Sequence, residues 1–392
     1  MKHPFTTTSR LLAVSISAMI LLPQAAMAAQ FIPLGDLAGG AFQSRATDVS
    51  ADGSTVIGYS ANAVGTEAFR WTRSGGMQSI GALPGTGHAA YASAVSADGS
   101  VIAGYSTTDS STYQAFRWTQ AGGMVSIGGL GANDGFTRGD AMSADGSVIV
   151  GYSSTSAYPG GNGYRWTQST GMQDLGILPG DFTSWARGIS ADGSIIVGQS
   201  NTNDSGQAYR WTTTDGLVSL GVAPGATTTS ASDISNDGTT ISGSGQVNGF
   251  SQAMVWTQGG GWENLGSLAG YQYSADAGIT ADGSMIFGQV FNVKPAFTSE
   301  GMVWDRAHGM RFAKDWLSTD YGLDLANWTL SYVSGISDDN QIITGFGINP
   351  NGNTEAWIAD LRPAAPVPLP SGVWLMGSGL FAIIRLRRKH EV

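Results

Sequence analysis

The stretch ATDVSADGSTVIGYS (residues 46–60), followed by AFRWT (68–72) and GMQSIGALPG (76–85), decides how this chain folds. The run ending in Val49-Ser50 alternates small and apolar residues, and Asp52-Gly53 reads as a two-residue turn supplying the positive φ angles of a tight hairpin. Val56 to Tyr59 and Ala68 to Trp71 follow as second and third strands, and Met77 to Leu83 as a fourth, closed by Pro84-Gly85. Gly and β-branched residues fill these positions without a 3.6-residue period, which excludes a helical repeat.

The same unit recurs seven times. Its turn Asp stands at 52, 98, 145, 192, 237, 282 and 339, with spacings of 46, 47, 47, 45, 45 and 57, the last carrying an insertion. Seven of the 12 Trp occupy one repeat position: Trp71, Trp118, Trp166, Trp211, Trp256, Trp304 and Trp357. Four antiparallel strands in about 45 residues is the size of a β-propeller blade. The seventh copy stops at Leu361 without its fourth strand, whereas FIPLGDL (31–37) near the start matches fourth strands such as DLGIL (174–178). An N-terminal strand completing the last blade would close the ring and remove an open sheet edge. The expectation is an all-β, seven-bladed propeller over residues 29–361. FAKDWLSTDYGL (312–323) is the one candidate helix of this body, with Gly322 as its stop.

Composition narrows the chemistry. The 392 residues include 57 Gly and no Cys, with 12% charged side chains and a net charge of −10. Without Cys there are no disulfides, thiolate zinc sites or Cys nucleophile. Four His, two of them near the chain ends (His3 and His390), argue against a multi-histidine metal centre. The lack of a basic block argues against nucleic acid.

Both ends read as addresses. Residues 1–28 have a positive start (Lys2, Arg10), an apolar stretch from Leu11 to Leu22 and the small-x-small site Ala26-Met27-Ala28, as in a secretory signal peptide. A Pro-rich linker (362–371) leads into residues 372–392, an apolar run read as a minimal transmembrane helix with a basic tail kept on the cytoplasmic side. Setting aside the six basic residues and Glu391 of the two ends leaves 13 basic and 28 acidic side chains, a net charge of −15.

The C-terminal sequence VPLPSGVWLMGSGL (367–380), followed by an Arg cluster, resembles the VPLPA variant of the PEP-CTERM sorting signal, with Ser371 where the variant has Ala. The matching residues are Val367, Pro368, Leu369, Pro370, Arg385, Arg387 and Arg388. That resemblance implies membrane passage, processing by an exosortase-type sorting enzyme, and placement at the cell surface or in the extracellular matrix. The repeats themselves resemble WD-repeat propellers and, more closely, the bacterial extracellular HAF-type repeat group, through GISADG (188–193), AFRW (115–118) and MQDLG (172–176). This second resemblance implies fold and export and carries no shared catalytic motif.

Candidate sites are weighed against the scaffold. One Asp per turn cannot supply the six to eight oxygens of a calcium site, so turn chemistry accounts for it, and no metal or cofactor is expected. The recurrent Trp and the Phe or Tyr two residues earlier read as inter-blade packing. Arg70, Arg117, Arg165 and Arg210 share one repeat position and are expected to bridge to neighbouring blades. Seven residues before each turn Asp stand Arg45, Tyr91, Arg138, Trp185, Ser230, Ala275 and Tyr332, which flank the channel mouth if the first strand lines it. Arg45, Tyr91, Arg138, Trp185 and Tyr332 suit a carbohydrate or peptide ligand. Asp48, Asp140, Arg187, Asp233 and Asp276 lie nearby in sequence. No catalytic residue is identified, since neither a fixed carboxylate pair nor a Ser-His-Asp set is evident. The function expected is a non-catalytic binding or structural protein with extracellular polysaccharide as candidate ligand. A carbohydrate-processing hydrolase or lyase is the alternative.

Overall fold

Every blade opens on the same side-chain-built turn. Ser50 Oγ donates to Asp52 Oδ1 at 2.7 Å, the Ser54 N–H donates to the same oxygen at 2.8 Å, and Ser50 Oγ accepts the Thr55 N–H at 3.0 Å. These bonds add to the turn's own backbone pairs, the Ser50 N–H to Thr55 O (2.9 Å) and the Gly53 N–H to Ser50 O (2.8 Å). At Asp145 the Ser143 hydroxyl and the Ser147 N–H hold the carboxyl below its ordinary value. The turn differs from the expected pair of positive φ angles. Gly53 alone takes one (φ +67°), while Asp52 serves as the acceptor; in the seventh blade Asn340 (φ +56°) takes the glycine's place.

The computed structural model describes residues 29–362 except 86, 109–111, 132–134, 156–158 and 203–204. The expected signal peptide, the linker beyond Arg362 and the sorting segment with its helix lie outside the described residues. No helix among the described residues is long and apolar enough to cross a membrane.

The strands form seven antiparallel four-stranded sheets. In the first blade they are Ser44–Val49, Thr55–Ala61, Thr66–Thr72 and Gly76–Gly81, paired in chain order. First strands of neighbouring blades touch all the way round, so the ring is closed and these strands line its channel. The last blade is Thr329–Ile336, Ile342–Ile348 and Thr354–Asp360, completed by Gln30–Pro33 from the start of the chain. In that closure Phe31 pairs with Ala359 and Pro33 with Trp357. The Phe31 ring lies 5.1 Å from that of Trp328 and 5.6 Å from that of Trp357.

Packing runs between blades as well as within them. Val56, Ile102, Ile149, Ile196, Ile241, Ile286 and Ile343, one from each second strand, are all fully buried. Each contributes about 1.5–3 kcal/mol of hydrophobic stabilisation. Phe69, Phe116, Tyr164 and Tyr209 are also fully buried, and Trp71 packs with Ile342 and Ile358 of the seventh blade, as the inter-blade reading requires. The arginines between these rings and the Trp behave otherwise than expected. Arg70 donates to Thr55 Oγ1 of its own blade, and Arg210 lies 3.9 Å from Asp215, also in its own blade. No cross-blade ion pair forms at that position among the described residues. The helix spans Ala313–Tyr321, buries Ala313, Trp316 and Leu317, and ends where the Gly322 N–H meets the carbonyls of Leu317 and Ser318. It packs against the third and fourth strands of the sixth blade and the first strand of the seventh.

Candidate functional site

A glycine fixes the shape of each channel strand. Gly58, Gly104, Gly151, Gly198, Gly243, Gly288 and Gly345 sit at one position of the second strand. A Cβ there would lie far inside contact distance of the carbonyl oxygens of Arg45, Tyr91, Arg138, Trp185, Ser230, Ala275 and Tyr332, respectively. A glycine inside a strand marks such a close backbone approach. Immediately after it the first strand carries a β-bulge in every blade, for example between Ala46 and Asp48 and between Ala186 and Gly188. The bulge adds one residue on the channel side and re-aims its side chain.

Three tiers result. The outermost holds the seven residues of the close approach and faces one mouth. The middle tier is the bulge residues themselves, Thr47, Ser93, Asp140, Arg187, Ser232, Ala277 and Ser334, which surround a cavity of about 180 Å³. The third tier, at the opposite end, is the residue before each turn Asp, with Asn236 and Asp338 exposed. There Ala97 donates its N–H to the Ala144 carbonyl, Ala144 to Ala191, Asn236 to Ala281 and Asp338 to Ala51, at 2.8–3.1 Å. Asn236 Nδ2 also reaches Asp338 Oδ2 at 3.0 Å, joining the fifth blade to the seventh. These residues border a cavity of about 160 Å³ at this end of the channel, and the close-approach residues mark the other end, here called the wide mouth.

At the wide mouth aromatic rings form an arc. Tyr59 contacts Tyr91 (5.0 Å between centroids), Tyr91 stacks on Tyr105 (5.0 Å), Tyr113 meets Tyr105 (5.2 Å) and Phe136 (5.2 Å), and Tyr152 meets Phe136 and Trp185 (5.8 Å each). Arginines are laid on these rings. The Arg138 guanidinium lies 4.2 Å from the Tyr105 centroid, Arg187 lies 5.3 Å from Trp185, and Arg45 lies 4.6 Å from Phe346, which itself stacks on Tyr332 at 5.3 Å. All five residues expected at the mouth are there, in two groups. Tyr91, Arg138 and Trp185 belong to the continuous arc, and Arg45 and Tyr332 to a corner shared by the first and seventh blades. They stand within the first strands and not in loops. Burial pushes the Tyr105 hydroxyl up to about 12, so it stays a neutral donor.

The acids named from the sequence lie deeper. Asp48 accepts the N–H groups of Val49 (2.8 Å) and Val95 (3.1 Å), and Asp233 those of Ile234 (2.8 Å) and Ile279 (3.2 Å). Each therefore clips its strand to that of the next blade. Asp140 sits 3.3 Å from Arg138, and Asp276 accepts from Ser232 at 3.2 Å. Among the described residues no three acids or histidines are grouped to hold a metal ion.

Asp48 and Asp233 border the channel and keep some exposed surface, but protein encloses the space on nearly all sides. Burial outweighs their backbone hydrogen bonds and raises both to about 7; burial likewise raises Asp276 to about 6. A carboxyl with a raised folded-state pKa binds its proton more tightly when native. The stability it contributes is complete below the unfolded value of about 4 and is lost as pH rises through about 7. The melting temperature is expected to fall across that window, and Asp233→Asn to make the fall shallower. An identical pH slope in the variant would remove Asp233 as its source.

No protein-family model and no curated protein matches the chain. Solved structures do. An oligogalacturonate lyase from Vibrio parahaemolyticus aligns with TM-score 0.53 at 10% identity, over 86% of this chain and 98% of that one. The β-propeller domain of the Trilobed protease from Pyrococcus furiosus aligns with TM-score 0.51 at 10% identity, over 88% and 97%. TolB from Acinetobacter baumannii aligns with TM-score 0.45 at 16% identity, over 68% of this chain, which spans only 65% of that one. At such identities the first two speak for the propeller fold alone. The Pyrococcus domain is described as an open velcro; here the N-terminal strand closes the last sheet.

Proposed function

We propose that this chain is an exported, surface- or matrix-associated propeller that binds extracellular polysaccharide at its wide mouth without transforming it. The observation that carries the reading is the unbroken aromatic arc from Tyr59 to Trp185 with Arg138 and Arg187 laid on its rings. Ring faces accept the C–H faces of sugars while guanidinium and phenol edges donate to hydroxyls, a pairing that suits a polyol better than a purely apolar ligand. Export by the N-terminal segment and release or attachment by an exosortase-type enzyme acting on the 367–388 region are parts of the same reading, resting on the sequence resemblance.

Glycan-array binding supplies the test. Tyr91→Ala and Trp185→Ala are each expected to weaken a polysaccharide hit by about tenfold, the loss of roughly 1.4 kcal/mol of stacking. Binding unaffected by both changes would remove the mouth from the reading. A carbohydrate-processing enzyme is the rival, favoured by the raised carboxyl of the buried Asp276, which bonds Ser232 of the channel's middle tier. Shortening of a polysaccharide by the wild type, abolished in Asp276→Asn, would select it.

A further inference from the structure

A cavity lies off the axis, at the wide-mouth corner of the sixth, seventh and first blades. It measures about 670 Å³, within the ordinary range for small-ligand sites. Phe297 stands on its lip 65% exposed, more than any other large apolar side chain among the described residues. A phenyl ring left in water at the edge of a cavity costs solvation free energy that a covering ligand recovers. Tyr332 and Phe346 form an inner wall, and Arg45 lies over Phe346.

The polar lining carries both signs. Arg45 is held by its ring contact and makes no ion pair among the described residues; its Nε is buried without a hydrogen-bond partner. Glu300 faces the same space and accepts from Tyr271 Oη at 3.2 Å, leaving acceptor capacity unused. Thr354 adds a hydroxyl. One donor-only group and one acceptor-only group, set among hydroxyls and an exposed ring, match a ligand whose hydroxyls both give and receive hydrogen bonds. The surrounding body has a net charge of −15, which disfavours polyanions at long range.

We infer that this corner pocket is the principal sugar subsite and that it takes an uncharged pyranose unit, stacked on Phe297 and hydrogen-bonded by Arg45 and Glu300. The inference rests on the polysaccharide reading and adds to it the place and the charge class of the sugar. The arc then supports the flanking units of a longer chain.

Calorimetric titration of the full-length protein with neutral hexose oligosaccharides, beside uronate oligosaccharides of equal length, tests it. Neutral oligosaccharides are expected to bind more tightly than uronates. Phe297→Ala and Glu300→Gln should each weaken them by about tenfold or more. Both side chains are accessible, so neither change threatens the fold, and Val125→Ala on an outer strand should leave affinity unchanged. Tighter binding of uronates would overturn the assignment. So would full affinity in Phe297→Ala together with its loss in Trp185→Ala, which would move the subsite to the arc and leave the polysaccharide reading standing. Absence of binding to any glycan would remove both.

Discussion

Gly198→Ala is expected to abolish the native fold or to cost it well over 3 kcal/mol, the range of overpacked cores and violated backbone contacts. The added methyl would overlap the Trp185 carbonyl oxygen and come within 2.9 Å of Tyr209 Oη. Neither can yield. The carbonyl belongs to the strand just before its bulge, and the Tyr209 ring is fully buried between blades. Gly216 provides the comparison: its φ of +66° strains any side chain, yet nothing lies within 4 Å of the added atom. Gly216→Ala should therefore cost only about 1 kcal/mol, the penalty of a left-handed residue. Denaturant unfolding of the two variants measures the difference. Equal losses would mean that the close approach does not hold the mouth strand in place.

Removing the closing strand has the second-largest expected effect. Residues 30–37 supply four paired positions to the last sheet, the Phe31 contacts with Trp328 and Trp357, and the buried side chains of Leu34 and Leu37. Three further bonds tie the segment down: the Leu34 N–H to Ala356 O (2.9 Å), Gly35 N–H to Glu355 Oε1 (3.0 Å) and Leu37 N–H to Ser60 Oγ (2.9 Å). The last of these reaches the first blade, so the segment joins the two ends of the ring. Its deletion should leave Thr354–Asp360 as an unpaired apolar edge prone to association. The milder Leu34→Ala should cost about 2–4 kcal/mol. Hydrogen exchange in the deletion variant is expected to rise steeply over 354–360 and to change little in the third blade. Unchanged protection at 354–360 would show that closure does not depend on this strand.

Blade number, strand order and closure were legible because they depend on repetition. A turn Asp, a Trp and a missing fourth strand keep their phase over seven copies, and one short segment elsewhere matched the gap. The bulge was not legible. It adds one residue without changing the composition of the strand, and so turns Asp140 and Arg187 into the channel where plain alternation leaves them unplaced. The glycine repeated at one position of every second strand, Gly58 to Gly345, was its visible trace, a conformational demand readable in sequence only when the opposing carbonyl is known. The positions at the mouth are legible because they hold a repeat position. Phe297 and Glu300, which line the inferred sugar subsite, arise where the sixth blade departs from the pattern, so comparing copies does not bring them forward. At the turn the sequence shows the Asp but not its φ, because the Ser hydroxyl and the following N–H hold its carboxyl as an acceptor and leave the positive φ to the glycine alone.

The closing strand has a mechanical consequence. Because Gln30 lies opposite Asp360 in an antiparallel pair, both ends of the described body leave the same end of the same sheet. A pull applied to the two ends loads that one pair first and unzips it from Gln30 inward, while the first six blades carry no tension.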